Sequence, residues 1–340
     1  MKLKLSAGLL ALLFFLIIYA LPNSNITAQQ RIITFGTVVD FSIATTKENE
    51  TRAYQAIDKA SSLLNQKHHQ WHAWQQGDLS LLNTEISQGK TATTNEDIIQ
   101  LITLSKKYYQ QSNQLFNPAI GQLIAAWGFH NPATEPNLAL INEIKSNLPN
   151  MNQIFINELS VSSSNPYLHL DFGGIAKGLA IQQIKTIFKS YGFNNYLINF
   201  GGDLYGRGQK HRKPWVAGIQ NPYNNTAIGT LEIAGNIFTS GNYQRFYMRN
   251  NKRIHHIINP RTGSPSAAIS AVTVSHDNAM TADVAATTFM IAEPNEWNAI
   301  GKQLGVSDYL IINENKELWV TASFFEKITF NTQLKIHIIR

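Results

Sequence analysis

IFINELSVSSSNPYLHLDFGGIAKGLAIQQIKTIFKSYGFNNYLINFGGDLY, residues 154–205, passes from strand to helix and back to strand. IFINELSVS and YLHLDF have the apolar, β-branched character of strands, and IAKGLAIQQIKTIFKSYGF repeats apolar residues at helical spacing before NYLINF returns to a strand. Further strand patterns follow in PWVAGIQ, GTLEIAG, IFTSGNYQRFYM and ISAVTVSH, then in DYLIINE, ELWVTAS and KITFNT beyond a helical stretch near 295–304. Upstream, residues 31–44 read as a strand and residues 50–66 as a helix. Thr94 with Asp97 resembles a capping box opening a helix to about Gln111. FNPAIGQLIAAWGFH, residues 116–130, gives a turn, a short apolar helix and an aromatic end. With no internal repeat and no Pro/Ser linker, the pattern predicts one α+β domain from about residue 30, built of two interleaved sheet-and-helix layers.

The chain has 340 residues, 44% of them hydrophobic and 15% charged, which is a globular composition. Lys2 and Lys4 precede the uncharged apolar run LSAGLLALLFFLIIYALP, the arrangement of a secretory signal. With roughly 17 apolar residues the run also reaches the lower limit for a spanning helix. Residues 1–28 are therefore expected to be either a cleaved signal, ending near Ala28, or a retained N-terminal membrane anchor. Residues 29–340 would then lie outside the cytoplasm, in the periplasm or on the outer face of the inner membrane. The absence of cysteine fits export and excludes thiol chemistry. Leaving out residues 1–28 removes two lysines and no acid, which lowers the net charge from +6 to +4. Without a dense Lys/Arg run, nucleic acid is not an expected partner.

HHIINPRTGSPSAAISAVTVSHDNAMTADVAAT, residues 255–287, brings together a His pair, an arginine in a Pro/Gly turn, and Asp283 and Thr287 four positions apart. In an Ala-rich helix, positions i and i+4 share a face, so this carboxylate and hydroxyl can offer oxygens to one hard cation such as Mg2+. The competing reading is a capping or solvated pair on an amphipathic helix. Arg261 suits a phosphate, or a plain salt bridge. Strand alternation sends His255 and His256 to opposite faces, leaving one, His256, to face a site and move a proton. LDFGGIAKG, residues 170–178, joins a strand to a helix through two glycines, where backbone can approach an anion at the helix start. Lys177 there suits a phosphate and Asp171 can accept from a ring or ribose, although a plain turn with a surface lysine fits as well. NFGGD at 199–203 lacks the following helix of a dinucleotide fingerprint. Its glycines permit a bulge or a close approach to the first glycine turn, and Asp203 either orients that turn or bonds local amides. His68, His69 and His72 lie close together but have no acidic ligand nearby, and read as a solvated helix end.

LDFGGIAKG, NFGGD, SGNYQRF, HHIINPRTG and TADVAAT, in this order and at these intervals, closely resemble the ApbE family, the FAD:protein FMN transferases. FGT at 35–37, DLSLLN at 78–83 and the FNPAIGQLIAAWGF block are similar to earlier segments of that family, so the resemblance covers roughly residues 33–325. It implies a single ApbE-like, T-fold-related domain that binds FAD with Mg2+ and cleaves its pyrophosphate. FMN is then attached through a phosphoester to a Thr or Ser of a client protein, and AMP leaves. The implied clients are membrane redox subunits of the quinone reductase and Rnf kinds and exported FMN-binding domains, with association to the inner membrane. By motif position, Asp171 and Lys177 would contact FAD, and the Gly174 carbonyl, Asp283 and Thr287 would hold the metal. Leu115, Phe116 and Asn117 match a flavin-contacting turn, and His256 with Ile257 a contact beside the phosphates.

Phe35 stands where the family usually has Met, and Trp74 where it has Tyr; both keep a surface for a flat ligand. Asn117 and Asn259 replace carboxylates, losing charge but keeping hydrogen bonding. In this scheme the metal, Lys177 and Arg261 neutralise the pyrophosphate. His256, of a type with an unperturbed pKa of about 6.5, accepts the hydroxyl proton, while Asp283 is committed to the metal. With water as acceptor the same site would be an FAD pyrophosphatase. A non-catalytic exported flavin-binding protein would have no use for Asp283, Thr287 and Lys177 together.

Overall fold

Among the described residues, nine strands line up across one sheet in the order in which the chain makes them. The computed structural model describes residues 24–130, 135–249 and 252–340. The strands are β1 (Asn25–Thr34), β2 (Thr37–Thr46), β3 (Tyr196–Phe200), β4 (Asp203–Arg207), β5 (Gly235–Gly241), β6 (Ile269–His276), β7 (Asp308–Asn313), β8 (Glu317–Thr321) and β9 (Lys335–Ile339). Neighbours are antiparallel except β8 and β9, which run parallel. Between β2 and β3 the chain leaves the sheet to build α1 (Glu50–Gln70), α2 (Asp78–Ser87), α3 (Glu96–Gln111), α4 (Gly121–Ala126), α5 (Leu138–Ser146) and α6 (Ala176–Ser190). After β6 come α7 (Ala279–Phe289) and α8 (Trp297–Leu304).

The sheet is covered on both faces, and the sequence of β7 shows why its apolar run is unbroken. Tyr309 and Ile311 join the core beneath the helices, while Leu310 and Ile312 join the core on the other face. The helix-side core contains Phe41, Ile57, Ile184, Phe188, Val272 and Phe289. The second core lies under a small three-stranded sheet of Val216–Gln220, Ala227–Glu232 and Ile328–Phe330. A third, smaller core joins Ile120, Leu123 and Phe129 to Ile141, Ile144 and Ile258.

The α+β architecture agrees with the sequence pattern, and its departures have local causes. Residues 31–44 are not one strand: the chain turns at Phe35 and Gly36, both left-handed at φ 52° and 69°, and β1 starts at Asn25. Ala28 lies in β1, buried and paired with Ile43. IFTSGNYQRFYM is divided between β5 and a hairpin strand, Phe246–Arg249. Asn95, not Thr94, caps α3, accepting from the Ile98 N–H at 3.0 Å. KITFNT joins the small sheet, and β9 completes the large one. YLHLDF makes a single bridge, His169 to Ile120, among the described residues. Its partner segment contains Pro118, which lacks an N–H for a ladder. The apolar run of residues 5–22 lies outside the described residues; among these, no helix is long and apolar enough to cross a membrane.

Candidate active site

Gly178 determines how the first turn of α6 meets α7. A Cβ at this position would stand 2.6 Å from Met280 Cα and 2.8 Å from the Ala279 carbonyl oxygen, so only glycine lets the two helix starts touch. The Gly178 N–H, one of the donors that a helix start leaves unpaired, instead donates to Asp283 Oδ2 at 2.9 Å. One turn further along α7 is Thr287. A Cβ on Gly174 would come within 3.0 Å of Thr287 Oγ1 and 3.1 Å of Phe116 Cε2, so bare backbone of the GGIAKG turn faces this hydroxyl. Asn278 caps α7 by accepting from the Thr281 N–H at 3.0 Å.

Asp283 is buried, which rules out the solvated-pair reading. Burial, reinforced by the charge of Asp203 and opposed by Lys177 and the Gly178 N–H, pushes its carboxyl up to about 7. Lys177 is ion-paired with buried Asp203, which also accepts from the Thr239 N–H at 2.9 Å. Burial works against the ammonium, but Asp203 and Asp283 outweigh it and hold the lysine charged. Asp203 thus braces Lys177 from β4, a role that its place in a glycine turn does not announce.

Gly174, Lys177, Asp283 and Thr287 line a cleft of about 290 Å³, shared with Phe35, Leu115, Phe116, Asn117, Asp171, Arg245, His256 and Ile257. A second cleft of about 480 Å³ adjoins it through Phe35, Asp171, Gly173 and Arg245, and continues past His68, Trp71, His72, Trp74 and His130. The first lies at the small end of ligand sites, so a dinucleotide requires both. Phe35 stands at the junction in a left-handed conformation that is costly for a bulky residue. Its ring packs edge-on against Phe200 at 5.4 Å.

His256 lines the first cleft, while His255 is buried and accepts from the Ile257 N–H at 3.3 Å. His256 Nδ1 lies 3.1 Å from the Arg245 carbonyl oxygen, a contact that requires the proton on Nδ1 and leaves the Nε2 lone pair free as a base. Desolvation lowers this imidazole to about 4, so the ring is neutral near pH 7. Asp171 accepts from Trp74 Nε1 at 3.0 Å and from the Gly173 N–H at 2.9 Å.

Some sequence-selected residues sit differently from the expectation. Arg261 does not line either cleft; its guanidinium makes a two-pronged pair with Glu296 at 2.8 and 3.0 Å. Arg245, inside SGNYQRF, is the arginine shared by both clefts. Trp74 cannot offer a free ring face here, because His130 and His169 stack on its two sides at 3.8 and 4.2 Å. Asn117 lines the first cleft, but its amide is spent on the Pro149 carbonyl at 2.9 Å and the Ala119 N–H at 3.2 Å. The histidine trio is not simply solvated: His68 and His72 face each other at 5.3 Å along the second cleft, and only His69 is exposed.

The residues present suit a small hard cation. A carboxylate, a hydroxyl and a backbone carbonyl form an all-oxygen donor set. Among the described residues, no group of three His, Cys, Asp or Glu side chains is arranged to hold a metal. A profile of the ApbE family matches residues 35–310, which include every group of this cleft.

The chain belongs to the ApbE family. It is 30% identical over 292 residues to a Rhodobacter capsulatus protein named FAD:protein FMN transferase, matching 84% of this chain and 55% of that one. A Klebsiella pneumoniae protein of the same name is 26% identical over 304 residues, 86% of each chain. The crystal structure of the ApbE protein from Thermotoga maritima superposes with a TM-score of 0.80 at 23% identity, covering 89% of this chain and 99% of that one. At that identity the likeness establishes the ApbE fold.

Proposed function

We propose that the protein transfers FMN from FAD to a Thr or Ser hydroxyl of a client protein and releases AMP. The observation that carries this reading is the meeting of Asp283, Thr287 and Gly174 with Lys177 in one cleft, in a family whose curated relatives are named FAD:protein FMN transferase. Asp283, Thr287 and the Gly174 carbonyl would hold Mg2+, which when bound supplies positive charge to the pyrophosphate oxygens. Lys177, kept charged by its two carboxylates, adds to that field, and Arg245 replaces Arg261 as the second cation within reach. The client oxygen forms a bond to the FMN phosphorus, the bond from that phosphorus to the bridging oxygen breaks, and AMP carries that oxygen away. His256 Nε2 is the lone pair placed to take the hydroxyl proton. Its depressed pKa belongs to the unliganded cleft, and a bound pyrophosphate would raise it toward a value useful near neutrality.

Clients are proposed to be redox subunits of quinone reductase or Rnf type and exported FMN-binding domains. The leader of Lys2, Lys4 and the following apolar run supports an extracytoplasmic place for the reaction. The test is to incubate the protein with FAD, Mg2+ and a candidate client domain and weigh the intact client. The expected outcome is a gain of one FMN that survives denaturation. An unchanged client with free FMN and AMP accumulating would replace the transferase by a pyrophosphatase.

A further inference from the structure

The end of the main sheet opposite the cleft carries an exposed basic hairpin beside the point where the chain enters the domain. Gln209–Lys210 pairs with Lys213–Pro214, and His211 and Arg212 form the tip with φ of 51° and 72°. Both tip positions demand a left-handed backbone, where Asn and Gly are the usual occupants. Here a histidine and an arginine occupy them at a steric cost, an outlier that directs attention to function. The hairpin is held firmly. The Gln209 N–H donates to Asn195 Oδ1 at 2.9 Å, and a Cβ on Gly208 would strike that same oxygen at 2.2 Å.

Arg207, Lys210, Arg212 and Lys213 are exposed, and none is ion-paired with a carboxylate among the described residues. Gly, Gln and His separate these cations in sequence, so the segment shows no unbroken basic run. Arg52, over the Phe193 ring at 5.4 Å, and Lys189, in the last turn of α6, add charge at the same end. The acids near this end are Glu48, Glu50, which is paired with Lys47, Asp277, which shares a surface hollow with Arg207 and Lys185, and Glu232, opposite Val216 beyond the hairpin; the cations outnumber them. His211 Nε2 meets Thr27 Oγ1 at 2.9 Å, and Thr27 is the third residue of β1. The uncharged apolar run of residues 5–22 ends three positions before that strand.

We propose that this end of the molecule is a membrane-facing surface that recognises anionic phospholipid headgroups. The described chain begins at Ser24, three residues before the Thr27 contact with the hairpin, so a leader held in the bilayer would set these cations at the headgroup layer. The β1–β2 ladder runs from Asn25 and Thr46 at this end to Thr34 and Thr37 at the Phe35 turn, which lines the cleft. At about 3.3 Å per residue, ten residues place the cleft roughly 30 Å from the basic end. That exceeds the screening length of about 8 Å at physiological salt, so Lys177 and Arg245 contribute nothing to this attraction. The cleft would then open away from the bilayer, at a height where a domain of a membrane-held client can reach it.

The chain contains no cysteine, so single labels are straightforward. Gln209→Cys marks the hairpin, and Ile33→Cys, 81% exposed, marks the cleft end of β1. Each full-length variant, carrying a fluorophore, is reconstituted into phosphatidylcholine vesicles containing phosphatidylglycerol and a headgroup-linked quencher. The expected result is quenching at position 209 but not at 33. Lys210→Gln, Arg212→Gln and Lys213→Gln together should weaken the contact roughly a hundredfold, at about fivefold per charge. An unchanged melting temperature in that triple variant verifies its fold. Equal quenching at both positions, or quenching at 209 that is undiminished in pure phosphatidylcholine, would overturn the proposal. The readout involves no flavin, so it stands apart from the transferase reading.

Discussion

At the scale of single residues, Asp283 pits the stability of the fold against its function. Its carboxyl titrates near 7 in the folded protein against an ordinary value of 3.8. Between those values the folded state holds a proton that the unfolded chain has released, so raising the pH through this window lowers stability. Asp283→Asn keeps an oxygen for the Gly178 N–H and removes the charge. Without divalent cations the variant should be more stable than the parent at pH 8, by on the order of 2 kcal/mol. The difference should vanish below about pH 4, and transfer should be lost at every pH. Urea unfolding across the range measures this, and a variant less stable than the parent at pH 8 would show that the charge is welcome where it sits. The residue scale is also where the sequence was hardest to read. Arg261 and Arg245 both follow strand-like segments rich in turn residues, and nothing in their spacing tells which turn opens on the cleft. The choice depends on Glu296, which reaches Arg261 from far along the chain.

At the scale of elements, the legible parts were those whose pattern is local. α6, β3 and β6 follow from periodicity and α7 from its Ala-rich composition, and the i, i+4 logic that set Asp283 beside Thr287 needs only a helix. What the pattern hid was contact between elements. The Phe35 turn is invisible because a residue that bulky rarely goes left-handed. The stacking of Trp74 between His130 and His169 joins segments distant in sequence. Gly178 is the instructive case, because within a helix its glycine is a weakness and only the crossing explains it. Alanine there would gain about 1 kcal/mol in helix propensity. Its methyl would meet backbone atoms of Met280 and Ala279 that cannot rotate away, and overpacking of this kind costs about 1–3 kcal/mol. Gly178→Ala should therefore lower the melting temperature and part Lys177 and Gly174 from Asp283, raising the Mg2+ concentration needed for transfer. A variant with the parent's metal dependence would mean that the helix crossing does not set the site.

At the scale of the molecule, the cleft lies between bodies of unequal cohesion. Gly173, Lys177 and Asp283 belong to elements packed on the large helix-side core, with β5 and β6 beneath them. Ile120, Phe129 and Ile258 belong to the third core, built from short helices and irregular segments with few ladder bonds. Such a region opens locally at a lower free-energy cost than a central sheet does. A ligand touching Ile120 and Ile258 on one side and Lys177 and Asp283 on the other ties the weaker body to the stronger. Its binding energy should then appear chiefly as slower opening of the third core. With FAD and Mg2+ at about a hundred times the dissociation constant, the linkage is worth about 2.7 kcal/mol, or on the order of 10²-fold in exchange rate. Hydrogen exchange followed by mass spectrometry should show that slowing in peptides covering 116–126, 138–146 and 254–260. Peptides of β5 and β6, already protected by ladders on both sides, should change little. Protection spread evenly over the sheet, or confined to α7, would mean that the ligand does not bridge the two bodies and that the cleft is closed by other contacts.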